Sequence, residues 1–203
     1  MKAIQRLHVL TLAGALAVAA AAANAEDGKQ PAMSKDQQAM MEAMQKAGEV
    51  RPEHKQLEYF VGDWDATTSM FMDPKAPPQK SEGKAHNETM FGGRYLRMKF
   101  DGSFEGQPFS GEGYFGFDNI KGKYFNTWAD SMTTGFWLAE GKYDAATKSY
   151  TFHGSTPDPV HPGKQLAVRQ VVHVVDPTHY TFEWYETHGG KEGKMMQIDY
   201  TKH

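Results

Sequence analysis

The residues best suited to chemistry are polar side chains that occur among aromatic and aliphatic ones. Arg94 and Asp130 are the most informative, because each occupies an alternate position in a run rich in apolar residues. A charge on an inward face is costly unless it is paired. The two side chains can therefore pair with each other or lie at a rim, or the planar guanidinium of Arg94 can bind a ligand carboxylate or phosphate. A third interpretation packs Arg94 on Trp64 to close the fold.

A wider set of inward positions combines large apolar side chains with a few polar groups. An apolar cavity with a few convergent polar groups is typical of a small-molecule site. The predicted ligand-binding residues are Trp64, Thr68, Arg94, Met98, Asn126, Trp128, Asp130, Phe136, Gln170, Trp184 and Glu186. We therefore predict a site for a small, largely apolar ligand, or one with an acidic head group near Arg94.

Catalysis is the weaker interpretation of the same residues. Asp130, Arg94 and Glu186 in a barrel mouth offer an acid–base set. The sequence has neither a G-x-S-x-G nor an H-E-x-x-H motif, and its zero cysteines exclude a cysteine nucleophile, a thiolate metal site and a disulfide. We predict no catalytic residue, no metal ligand and no cofactor.

The charge balance excludes one class of partner. Lys and Arg number 22 against 25 Asp and Glu, for a net charge of −3. An electrostatic nucleic-acid binder would show a basic excess, so we predict no nucleic-acid partner.

The first residues have the pattern of a secretory signal peptide. Lys2 and Arg6 precede an apolar run over 9–23, and Ala23-Asn24-Ala25 matches an A-x-A cleavage site. The run is shorter than the roughly 20 residues that a bilayer-spanning helix needs. We predict a signal peptide over 1–25, cleaved after Ala25, a periplasmic or secreted protein, and no transmembrane segment in the mature chain.

A linker and a methionine-rich helix are predicted over 26–50. Ser34 and Gln37 have the spacing of a capping box, and Gly48 ends the helix after Ala47. The methionines recur on one stripe, which predicts that the helix packs outside a barrel or across one end of it. An alternative function is an interaction or structural protein of the cell envelope that docks through this helix.

The positions of the candidate residues depend on strands that follow Gly62. Apolar residues then alternate with polar ones, and short turn signals separate the runs, so that neighbouring strands pair antiparallel. The runs cover 64–72, 84–90, 94–100, 109–117, 124–130, 132–138, 150–152, 166–174, 180–186 and 196–200. We predict one domain over 51–203, a closed up-and-down barrel of about ten strands, because closure removes exposed edges. A two-sheet sandwich is the second choice.

Several motifs together resemble a known family. The segment Phe60-Val61-Gly62-Asp63-Trp64 is similar to the G-x-W start of calycin-type barrels. The other matching segments are Asp73-Pro74 with Pro77-Pro78, Gly92-Gly93-Arg94-Tyr95-Leu96, Pro108-Phe109 with Gly111 and Gly113, Gly116-Phe117-Asp118-Asn119, Trp128 with Asp130-Ser131-Met132, Thr134-Gly135, and Lys194-Met195-Met196. Over about 34–203 the chain resembles a bacterial family of exported, lipocalin-like proteins of unknown function. The resemblance implies a calycin-like antiparallel barrel and no particular activity.

Overall fold

The computed structural model describes residues 33–73 and 75–203. The predicted signal peptide therefore lies outside the described residues. The helices are α1 (Lys35–Ala47), α2 (Pro52–Gln56) and a 3₁₀ turn (Leu57–Phe60). The strands are β1 (Gly62–Met70), β2 (Gln79–Met90), β3 (Tyr95–Phe104), β4 (Gln107–Asp118), β5 (Lys123–Asp130), β6 (Trp137–Asp144), β7 (Ser149–Pro157), β8 (Gln165–Asp176), β9 (His179–His188) and β10 (Lys191–Lys202).

Helix α1 begins at the predicted capping box. The Gln37 backbone N–H donates to Ser34 Oγ (3.2 Å), and the Ser34 N–H donates to Gln37 Oε1 (2.8 Å). No residue of α1 is buried, and Met40 and Met44 are 64% and 58% exposed. Across the described ranges, no helix is long and apolar enough to span a bilayer.

The ten strands form a closed antiparallel barrel, as predicted. Each strand pairs with its sequence neighbours, and β1 pairs with β10 to complete the circle. The connections are turns and loops between adjacent strands, so a Greek-key sandwich is excluded. The alternation of side chains along each strand separates an inner face, which surrounds the lumen, from an outer face.

The two ends of the barrel are built differently. At one end, here called the floor, short turns join β2 to β3, β4 to β5, β6 to β7 and β8 to β9. At the other end, here called the mouth, the loops over 131–136 and 158–164 and the loop between β1 and β2 are longer. The proline-rich connections between β1 and β2 and between β7 and β8 both lie at this end.

The floor is closed by the segment that precedes β1. Leu57 and Phe60 are each 2% exposed, and the Phe60 ring packs on Phe115, Tyr150 and Tyr180 at centroid distances of 5.6, 5.9 and 5.0 Å. The Phe60 carbonyl accepts hydrogen bonds from Trp64 Nε1 (2.8 Å) and from Nδ2 of the inward residue Asn87 on β2 (3.0 Å). Aromatic packing and these bonds together fill this half of the lumen.

Two polar side chains secure the floor from outside. The Tyr59 hydroxyl contacts the backbone carbonyl oxygens of Asp176 (2.6 Å) and His179 (2.8 Å) at the β8–β9 turn. Asn119 Nδ2, in the β4–β5 turn, contacts the carbonyl oxygens of Ala47 (3.0 Å) and Glu49 (2.8 Å), and more distantly that of Lys46 (3.4 Å). The end of α1 is thereby held at a turn of the floor, since the last carbonyls of a helix need partners outside it.

Candidate functional site

The lumen is accessible in its mouth half. Trp128, Trp137, Trp184 and Glu186 all point inwards, yet each retains intermediate solvent exposure. Trp184 and Glu186 have partners on both neighbouring strands, so solvent reaches these two side chains through the lumen. The pairing of β6 with β7 begins only at Glu140, so Trp137 borders an unpaired part of the wall. Floor residues such as Phe152, at 0% exposure, have no such access. The open half therefore has aromatic walls and a closed aromatic base.

Glycines on the inner face make room for the rings. A Cβ at Gly111 would stand 2.2 Å from Trp128 Cζ2, and one at Gly154 would stand 2.8 Å from Trp137 Cη2. A Cβ at Gly83 would likewise stand 2.4 Å from Phe100 Cζ. These three rings lie directly against neighbouring strands instead of projecting into the lumen. A strand glycine commonly marks such a close approach.

An amide network crosses the lumen above the floor. Asn126 Nδ2 donates to Gln170 Oε1 (2.8 Å), and Trp137 Nε1 donates to Asn126 Oδ1 (3.3 Å). Asn126 and Gln170 are 7% and 3% exposed, so this pair links β5 to β8 inside the barrel. Both amides were predicted to face inwards, and the hydrogen bond joins them directly.

A carboxylate lies next to the indoles on β9. Glu186 Oε1 accepts a hydrogen bond from Trp184 Nε1 (2.9 Å), while its Oε2 lies 2.8 Å from His188 Nε2. The Trp184 ring packs against Trp137 at 4.7 Å between centroids and an angle of 52°. The Glu186 side chain is 20% exposed. A partly solvated carboxylate thus stands beside a pair of indole rings.

His188 belongs to this arrangement although it is not among the predicted site residues. It ends β9 with the same parity as Trp184 and Glu186, which places it at the mouth on the inner side. The parity signal was available in the sequence, because the three residues are spaced by two. Among residues 33–73 and 75–203, no group of three or more histidine and acidic side chains could hold a metal ion.

The inward position predicted for Arg94 is wrong. Arg94 precedes β3 in the floor turn, is exposed, and donates from Nη1 to the Phe91 carbonyl (2.8 Å). Two glycines with positive φ, Gly92 and Gly93, form this turn and end the strand alternation before Arg94. Asp130 lies at the mouth end of β5, where its Oδ1 accepts the backbone N–H groups of the next turn. Because they occupy opposite ends of the barrel, the two charges do not pair, and Arg94, Asp130 and Glu186 do not assemble into one acid–base set.

The inward position predicted for Phe136 is also wrong. Phe136 is 70% exposed in the loop before β6, and the ladder pairs Trp128 with Trp137 and Asn126 with Ala139. Cross-strand partners share a face, so the odd-numbered residues of β6 point inwards. The alternation over 132–138 begins inside the six-residue loop 131–136, so it predicts the face of the following strand one residue out of phase.

The other predicted positions fall into three groups. Trp64 is 1% exposed and belongs to the floor, where its role is packing. Thr68, at 8% exposure, and Met98 are inward on β1 and β3. Trp128, Asn126, Gln170, Trp184 and Glu186 are the predicted residues that the structure gathers around the accessible half of the lumen.

The pKa values of the floor tyrosines are raised by their surroundings. Burial raises the pKa of Tyr124, Tyr150 and Tyr180, with nearby ionisable groups as a secondary cause. Burial, and then the charge of Asp176, raises the pKa of Tyr59 to about 12. These groups stay neutral at physiological pH and serve the floor as packing elements.

A second concavity lies at the mouth rim outside the lumen. It is a solvent-open cleft of about 370 Å³ across β3, β4 and β5, lined partly by Lys99, Glu112 and Asp130. Its lining is largely polar, and much of it comes from outward positions. The lumen, with its indole walls, is the better match to an apolar ligand.

The fold and its lumen define the class as a closed antiparallel barrel of ten strands with one end filled and the other accessible. The model of a family described as "Protein of unknown function (DUF1579)" matches residues 49–202. The chain belongs to this family. No curated protein matches it.

One solved structure supports the barrel architecture, and two others are reported as weaker similarities. The crystal structure of Rv2717c from M. tuberculosis is similar with a TM-score of 0.55 and 14% sequence identity, covering 76% of this chain and 99% of that one. A redesigned beta barrel, mFAP0, bound to DFHBI, has a TM-score of 0.40 at 12% identity and covers 71% of this chain and 99% of that one. Another redesigned barrel has a TM-score of 0.37 at 16% identity, covering 72% and 93%. At these identities the M. tuberculosis structure supports the fold alone.

Proposed function

We propose that this protein binds a small, largely apolar molecule in the mouth half of its lumen. The observation that carries the proposal is that the inward residues Trp128, Trp137 and Trp184 stay partly exposed at the mouth end of a closed barrel. Apolar surface that stays wet inside a barrel gains free energy when a ligand covers it, at about 25 cal/mol per Å². A barrel of this size has room for side chains or for one small ligand.

A lumen-filling variant tests the proposal. In Gly111→Ala the new methyl would stand 2.2 Å from Trp128 Cζ2, so the ring must leave the wall and enter the lumen. Displacing a packed ring costs about 1–3 kcal/mol, and we expect affinity for the neutral dye N-phenylnaphthylamine to fall about tenfold or more. Dye fluorescence and quenching of tryptophan emission both report binding.

A matched control exists on the same strand. In Gly116→Ala the methyl would stand 2.5 Å from the Phe125 Cζ atom, which lies on the outer face. Both substitutions strain β4 against a ring of β5, but only Gly111→Ala reduces the lumen. Equal affinity in the two variants, or no saturable dye binding by the wild type, would reject the proposal.

The natural ligand can be sought directly. Native mass spectrometry and lipid extraction of protein purified from its own host would identify a co-purifying small molecule. The Gly111→Ala protein, prepared in the same way, should lose that molecule, while Gly116→Ala should retain it. Loss from both variants would assign the molecule to another surface.

We further propose that the protein is exported and lipocalin-like in its use of the lumen. The support is the signal-peptide pattern over 1–25 and the resemblance of the barrel motifs to calycin-type proteins. N-terminal sequencing of the protein from a periplasmic fraction should begin at Glu26. Recovery of the intact N-terminus from the cytoplasm would contradict export.

A further inference from the structure

The charges that face the lumen are two acids and two lysines, and the lysines lie at its two ends. Four charged side chains occupy inward positions on the strands of the described residues. They are Asp130 and Glu186 near the mouth, Lys191 at the mouth rim and Lys202 at the floor. Lys202 lies over the Trp64 ring, with Nζ 5.2 Å from the ring centroid. Arg94, the cation expected to receive an acidic ligand, is outside the lumen at the floor end.

Glu186 is the carboxylate placed to meet a ligand. It accepts one hydrogen bond from Trp184 Nε1 and contacts His188 Nε2, whereas an ionised carboxylate offers about four acceptor sites. Its side chain remains 20% exposed, and that exposure is to the lumen. Acceptor capacity therefore remains on the side that a ligand would approach.

The surroundings of Glu186 suit a cation. The Trp184 indole that donates to the carboxylate also packs against Trp137, so two π faces and one negative charge adjoin the same space. Indole faces attract cations, and a charge-assisted hydrogen bond to a carboxylate is about twice as strong as a neutral one. An anionic head group at this point would instead face the carboxylate of Glu186.

We infer that the lumen selects a molecule that joins an apolar or aromatic body to a protonated amine. The amine donates to Glu186, and the body lies against Trp137 and Trp184. This inference rests on the proposed function, because it requires that the lumen be a binding site. It replaces the acidic head group expected from the sequence with a basic one.

A charge series of equal size tests the inference on the wild-type protein. Naphthylmethylamine, naphthylmethanol and naphthoic acid share one ring system and differ chiefly in the charge of the head group. Calorimetric titration at neutral pH and physiological salt should give an affinity for the amine about tenfold above that for the alcohol, with the acid weakest. Equal affinities, or a preference for the acid, would overturn the inference.

Two carboxylate variants on one strand locate the effect. Glu186→Gln keeps the shape and an acceptor oxygen but removes the charge, and should reduce amine affinity about tenfold while changing alcohol affinity less than about twofold. Glu183→Gln is the matched control, because Glu183 is also on β9 with a side chain 23% exposed, but it faces outwards and pairs with Lys194. An equal loss in both variants would mean that overall charge, not Glu186, sets the preference.

The outcomes separate the inference from the proposed function. If the amine and the alcohol bind equally and Gly111→Ala weakens both, the lumen is a binding site and only the charge selection is wrong. If none of the three compounds binds the wild type, both fail together. If the amine preference persists in Glu186→Gln, the cation is held by another group and the assignment to Glu186 is wrong.

Discussion

The amide network across the lumen makes a quantitative prediction about stability. In Asn126→Leu, a substitution of similar volume, Gln170 Oε1 loses the donor at 2.8 Å and Trp137 Nε1 loses the acceptor at 3.3 Å. A buried polar atom left without a partner costs about 1–3 kcal/mol. Gln170 is 3% exposed and should incur most of that cost, while the partly exposed indole N–H can recover a water from the lumen.

The expected loss is therefore about 2–3 kcal/mol in the free energy of unfolding, combining the two groups. In a domain of this size that corresponds to a fall of about 5–10 °C in melting temperature. Urea unfolding followed by tryptophan fluorescence measures the loss, and an unchanged m-value would indicate that the unfolded state is unaffected.

A double-mutant cycle separates the bond from the packing. Replacing both partners by apolar residues of the same shape is much less costly than orphaning one. Asn126→Leu and Gln170→Leu combined should thus be about 1–2 kcal/mol more stable than the sum of the single losses predicts. The reasoning is refuted if Asn126→Leu stays within about 0.5 kcal/mol of the wild type, or if the two substitutions are additive.

Three further predictions follow from the floor. Because burial raises the pKa of Tyr124, Tyr150 and Tyr180 above the unfolded value near 10, the stability they contribute is full below about pH 10 and is lost as the pH rises towards the folded pKa values. At about pH 11 the ionisation of each tyrosine in the unfolded chain lowers the free energy of unfolding by about 1.4 kcal/mol, or about 4 kcal/mol for the three. Unfolding measured by circular dichroism and the rise in tyrosinate absorbance should therefore occur together. Ionisation of these tyrosines while the protein is still folded would contradict this. Tyr59→Phe should lower the free energy of unfolding by about 1 kcal/mol in urea, since its hydroxyl contacts two carbonyl oxygens of the β8–β9 turn, and an unchanged midpoint would assign those contacts no net value. Asn119→Ala should free the end of α1 and speed tryptic cleavage there, with little effect on barrel melting; an unchanged cleavage rate would show that the three contacts do not restrain the helix.

The barrel was predictable because its signals are local. Strand alternation and turn residues are properties of neighbouring residues, and a long meander has few ways to remove its edges. The capping box of α1 and the inward set on β4, β5, β8 and β9 follow from the same short-range rules. Ten strands and their closure were therefore within reach of the sequence.

The errors arose where a turn or loop interrupts the alternation. Arg94 continues the period of Leu96 in sequence, but the Gly92-Gly93 turn places it outside the lumen. Phe136 continues the period of Leu138, but a six-residue loop means that Trp137, one position later, begins the inner face. Period-two reasoning has no means of detecting where a strand begins, and an error of one residue exchanges the two faces.

Some features of the lumen depend on contacts between distant segments. The bond from Asn126 to Gln170 joins residues 44 positions apart, and the rings that cover Gly111 and Gly154 come from neighbouring strands. The glycines on β4 were visible as inward residues, but the ring that each one accommodates was not. Parity predicted which side chains face the lumen, and packing decided which of them occupy it.

The pairing of β1 with β10 has a consequence for how the chain folds. Every other pair in the barrel is formed by adjacent strands, whereas at this seam Asp65 and His203, 138 positions apart, share a hydrogen bond. Hairpins can form early, but the seam must wait for a long loop to close, and non-local pairing slows folding. Until then β1 and β10 are both unpaired edges that another chain can extend, so the risk of aggregation is concentrated in the interval before the last seam closes.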